Sequence, residues 1–147
     1  MDVIVNERQC KHTQKKLTEL VALVAATERN EAGDEGFRDI QIAGLQSQIL
    51  DLSAELKEYE ALRDGTTTVI EAHSLAGLAD ALIKARIARG WTQRQLAERL
   101  GVAEQQVQRY ESSSYRTASL ARLCDIADAL GVTITQRAEL GMDLYVA

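Results

Sequence analysis

Residues 91 to 111, WTQRQLAERLGVAEQQVQRYE, read as two short helices and the turn between them. Thr92 followed three positions later by Gln95 is a capping pair, able to satisfy two backbone N–H groups left open at a helix start. Leu96 and Leu100 share one face of that helix, and Ala97 is small where a second helix must cross closely. Gly101 tolerates the left-handed backbone that turns the chain, and Val102 and Val107 fill the space between the two helices. Glu104, Gln105, Gln108 and Arg109 remain on the outside of the second helix, long polar side chains suited to reading base edges in a DNA groove. Glu104 also has a purely structural reading: a carboxylate at a helix start meets the positive end of the dipole.

The punctuation stays clear on either side. Ser74 is placed to cap a helix that stops at Gly90, Thr92 opens one that stops at Gly101, a third follows from Ala103 to about Glu111, and a fourth runs from Ser119 to Leu130 before Gly131. The tail, Val132 to Ala147, alternates weakly at Val132, Ile134 and Gln136, a pattern open to a strand or a fifth short helix.

Caps, small alanine, turn glycine and buried aliphatics agree in register with one family: residues 74 to 132 resemble the helix-turn-helix of the Xre family, the Cro- and phage-repressor-like DNA-binding domains. The resemblance implies a bundle in which residues 74 to 90 support, Thr92 to Leu100 is the positioning helix and Ala103 to Glu111 is the recognition helix in the major groove. It matches Gln93 to the family glutamine that touches a phosphate and braces the recognition helix. It matches Glu104, Gln105, Gln106 and Arg109 to the positions nearest the bases, and makes Arg116, in the loop SSSYRTAS, a second phosphate contact. Arg94 and Gln108 complete the candidate set. One departure stands out: the family places Ser or Thr before the recognition helix and this chain has Ala103, at a cost of roughly 1 kcal/mol. Gln106 reaching back to the Ala103 N–H would offset part of it.

The amino-terminal half is of another kind. A first helix is predicted from about Glu7 to Thr27, with Leu17, Leu20 and Val24 on one face; the polar ERNEAGDEG of residues 28 to 36 is a turn; and a second helix runs from about Phe37 to Leu62. Ile42, Leu45, Ile49, Leu52, Leu56 and Tyr59 alternate spacings of three and four, which is a heptad seam. Its partner is either the first helix, in an αα-hairpin, or a copy from a second chain. Residues 63 to 68 end the second helix and place a boundary near residue 65, giving an acidic hairpin over 1–65 and a DNA-binding domain with a short tail over 66–147.

Charge supports two jobs. The net charge of −5 hides 8 Lys/Arg against 13 Asp/Glu in residues 1 to 65, and 8 against 6 in residues 74 to 132. An acidic helical segment ahead of LIKARIARGWTQRQLAERLG also resembles antitoxins of the Xre type. That resemblance implies that residues 1 to 65 bind a basic toxin and that the pair represses its own operon; the alternative is a stand-alone Xre-type or phage-type regulator whose hairpin only dimerises.

Composition bounds the rest. No proline among 147 residues and 4% aromatics favour helices throughout, so the expected fold class is all-α. No apolar run is long enough for a bilayer, and the opening MDVIVNERQ lacks a basic leader and an apolar core, so a cytoplasmic location without membrane is expected. Cys10 and Cys124 have no paired spacing, and Cys10 with His12 gives too few ligands for zinc. No Ser-His-Asp or HExxH arrangement and no glycine-rich phosphate loop occurs, so neither an enzyme nor a cofactor is expected. The expected partners are a pseudo-palindromic DNA operator, a second copy of the chain and a toxin.

Overall fold

The structure, a computed structural model, describes residues 3–141. Among them are six α-helices and no strand: α1 Glu7–Arg29, α2 Glu35–Arg63, α3 Leu75–Ala88, α4 Gln93–Leu100, α5 Glu104–Ser112 and α6 Leu120–Leu130. No helix among the described residues is long and apolar enough to cross a membrane. The tail is corrected: residues 132–141 form neither strand nor helix, and residues 142–147 lie outside the described residues. Val132, Ile134 and Gln136 follow Gly131, which ends α6 in the left-handed region at φ 63, and they have no neighbouring strand with which to pair.

The helices begin where side chains can take over orphaned N–H groups. Ser74 accepts from the Gly77 N–H at 2.9 Å, Ser119 from the Arg122 N–H at 3.1 Å, and Thr92 and Gln95 exchange reciprocal bonds in a full capping box. Asn6 caps α1 by accepting from the Gln9 N–H, while the Gln9 side chain returns to the Val5 N–H at 2.9 Å. Ala103 at the start of α5 gives no side-chain cap, and among the described residues Gln106 makes no bond back to the Ala103 N–H.

α1 and α2 pack as an antiparallel hairpin across the connection 30–34, closed at its base by an ion pair between Arg63 Nη1 and Glu7 Oε2 at 3.5 Å. Ile42, Leu45, Ile49 and Leu52 are half-buried, and Leu56 and Tyr59 are buried. The base of the hairpin does not stand apart from the carboxy-terminal helices. α2 packs on α3, and Ile4, Val5, Cys10, Leu56, Tyr59 and Leu62 join one continuous apolar core with Leu82, Ile83, Leu96, Val107, Ile126 and Leu130. The core therefore crosses residue 65, and the apolar face of α3 is covered partly by chain that precedes it.

Candidate nucleic-acid interface

α4 and α5 are joined by Gly101, whose φ of 68 lets its N–H and that of Val102 close on the end of α4. Leu96, Ala97 and Val107 are buried between the helices and α6 packs on α4, so the inner faces of both short helices are spoken for. The outer face of α5 is polar and open. Glu104, Gln105, Gln108 and Arg109 are all exposed, at positions one turn apart or adjacent on the helix. Gln108 Nε2 donates to Glu104 Oε1 at 3.3 Å, while among the described residues the side chains of Gln105 and Arg109 hold no hydrogen bond or ion pair. Arg116 is likewise exposed and without a side-chain partner among the described residues. Gln106 differs: it is half-buried, turned toward the side of α5 that packs. Arg94 is exposed and pairs with Glu98 at 3.1 Å, a surface pair that holds it only weakly.

Gln93 opens α4 and its Nε2 donates to Glu111 Oε2 at 2.8 Å, so the first residue of α4 is tied to the last turn of α5. Glu111 is the centre of a larger knot. Arg86 of α3 donates to Glu111 Oε1 from Nε at 2.6 Å and to Oε2 from Nη2 at 2.8 Å, a bidentate pair. The same guanidinium reaches the Trp91 carbonyl from Nη1 at 2.6 Å and the Val5 carbonyl from Nη2 at 2.5 Å. One buried cation thus holds the amino-terminal segment, the entry to α4 and the end of α5 in register.

This knot has no counterpart in the sequence reading, although Arg86 within the apolar run LIKARIA is the signal that pointed to it: a long cation on a face otherwise fit for burial needs an equally buried anion. Tyr115 closes the far side, stacked on Tyr110 at 5.9 Å between ring centroids. Ser114 and Tyr115 both take the left-handed region, at φ 48 and 58, so the loop after α5 carries strain that the burial of Tyr115 holds in place. Burial pushes the Tyr115 phenol well above its usual range, and the Glu111 carboxylate adds to the shift.

Arg99 of α4 lies over Trp91, the guanidinium 3.9 Å from the ring centroid. Cys10 is buried while His12 is exposed, and burial followed by the nearby Glu7 raises the Cys10 thiol above its ordinary value. Among the described residues no group of His, Cys, Asp and Glu is arranged to hold a metal ion.

Residues 82–136 match the family model described as helix-turn-helix, of the Xre and phage-repressor type. The match covers α4, α5, α6 and the second half of α3. It supports DNA as the partner and transcription regulation as the role of this part of the chain. No curated protein and no solved structure matches the chain.

Proposed function

We propose, from a helix-turn-helix domain in the carboxy-terminal part of the chain, that the protein is a sequence-specific repressor that binds a pseudo-palindromic operator as a homodimer. The observation that carries this reading is the open row Glu104, Gln105, Gln108 and Arg109 on α5, a helix anchored at its far end by Arg86 and Gln93 through Glu111. In it, Gln105 and Arg109 address base edges, Gln93, Arg94 and Arg116 meet phosphates, and Glu104 accepts from cytosine or stays as a dipole partner. Half-buried Gln106 supports rather than reads. Selection from a random duplex pool with the full chain tests the reading. The expected result is a palindromic motif with half-sites about 10 base pairs apart; failure to enrich any sequence overturns it.

A second reading adds a partner at the amino-terminal hairpin, in which the chain is the antitoxin of a toxin–antitoxin pair and represses the operon of the two. What supports it is the tip of the hairpin, where Val21, Leu23, Phe37 and Ile40 are exposed within an acidic surround, a surface suited to a basic protein. Co-expression with each neighbouring gene tests it. Growth arrest by one of them, relieved by the full chain, supports an antitoxin; no arrest from any of them leaves the repressor alone.

A further inference from the structure

We propose that the first three turns of α1 form a second contact surface for DNA, with Arg8 and Lys16 on the sugar–phosphate backbone beside the groove that α5 reads; this rests on the DNA-binding reading above. The hairpin is acidic as a whole, but its charges are not evenly spread. From Glu7 to Lys16 the helix carries Arg8, Lys11, Lys15 and Lys16 against the single acid Glu7, which is already engaged with Arg63.

Arg8, His12 and Lys16 are spaced four residues apart, so they rise along one stripe of α1, and all three are exposed. That stripe does not face empty solvent. It forms one wall of a groove of about 960 Å³ whose opposite wall holds Gln93, Gln108 and Ser112, the start of α4 and the flank of α5. When a helix lies in the major groove, the two backbones run on either side of it, so a cationic wall alongside α5 faces one of them. Glu55, Asp80 and Glu111 also line this groove, and Glu111 pairs with Arg86. Carboxylates inside a groove disfavour phosphate there, so the contact lies at its exposed edge, with Arg8 and Lys16. The consequence is that the hairpin is not only a partner-binding or dimerising element: its base widens the DNA-binding face.

The test uses the full-length chain carrying Arg8→Gln, Lys16→Gln or both. The probes are a duplex selected by the parent from a random pool and a scrambled duplex of equal length, titrated across a salt gradient. Each single variant is expected to weaken both duplexes alike, by about three- to tenfold, and the double variant to lower the slope of log K against log[salt] by about 1.8, near 0.9 per lost phosphate contact. Lys57→Gln removes an exposed cation of α2 that does not line the groove and is expected to leave affinity and slope as in the parent. A double variant with parental affinity and slope overturns the proposal, as does a loss confined to the selected duplex, which would mean base contact. If Gln105→Ala and Arg109→Ala weaken binding while the α1 variants do not, only this inference falls; if the parent binds neither duplex, the DNA-binding reading falls with it.

Discussion

Arg86 and Glu111 form a bidentate ion pair in the interior, at 2.6 and 2.8 Å, with side chains only 3% and 0% exposed. Nη1 also donates to the Trp91 carbonyl, Nη2 to the Val5 carbonyl, and Glu111 Oε2 also accepts from Gln93. A pair satisfied in this way costs most when only half of it is removed. Glu111→Ala is expected to destabilise the chain by about 3–5 kcal/mol, whereas Arg86→Met combined with Glu111→Leu loses less than the two single changes summed. Urea unfolding of Glu111→Ala checks the first value, and that of the parent, Arg86→Met, Glu111→Leu and their combination measures the coupling, which simple additivity would contradict.

Gln105 and Arg109 sit on the open face of α5 and hold nothing in place. Gln105→Ala and Arg109→Ala are each expected to weaken binding to a selected duplex by about 1–3 kcal/mol with helicity unchanged. Shift titration with circular dichroism checks both halves of the statement.

Gln93 does two things. Gln93→Ala is expected to weaken binding to all duplexes alike and, by leaving Glu111 Oε2 one donor short, to cost about 1 kcal/mol of stability. Ala97→Glu is a control for register: a carboxylate at a buried helix crossing is expected to unfold the bundle, read as loss of a cooperative thermal transition.

Ala103 leaves the start of α5 without a side-chain cap. Ala103→Ser supplies one and is expected to add about 1 kcal/mol, read as a higher midpoint in thermal unfolding. No gain would mean that the backbone there does not admit the Ser-to-amide bond.

Tyr115 gives a pH dependence with a definite sign. Its phenol is raised above the ordinary value of 10.0 by burial and by Glu111, so the folded state holds that proton more tightly than the unfolded chain does. Its contribution is fully present below about pH 10 and declines as pH rises above that value. The Tyr115 hydroxyl is buried with no hydrogen-bond partner among the described residues. Tyr115→Phe is therefore expected to keep the fold at neutral pH and to flatten the alkaline loss, measured by denaturant midpoints across that range.

The carboxy-terminal helices were legible because their ends are written in local chemistry: Ser74, Thr92, Gly101, Ser119 and Gly131 each do at the helix end what their side chain or its lack allows. The open face of α5 was legible for the same reason, since it is what remains once Leu96, Ala97 and Val107 are assigned inward. What local pattern could not supply is pairing at a distance. Arg86 and Glu111 are 25 positions apart and Arg86 and Val5 are 81 apart, and nothing in VIVNERQ distinguishes a segment that enters the core from a loose end. Leu56 and Tyr59 fitted a heptad seam by spacing, yet they are buried in the core shared with α3 rather than half-open like Ile42 to Leu52, because the seam runs off the hairpin and under the bundle.

The core that crosses residue 65 also sets an order of events during synthesis. The hairpin is made before α3 to α6, but Ile4, Val5, Cys10, Leu56, Tyr59 and Leu62 belong to a core that is complete only once those helices have been made. A nascent chain stalled after α2 carries an uncovered apolar base and an Arg86 site not yet in existence, so it is a sticky intermediate rather than a finished first domain. The bond from Arg86 to the Val5 carbonyl joins residues 81 positions apart, which makes docking of the segment ahead of α1 a late step in folding, with the loop-closure cost of a long contact.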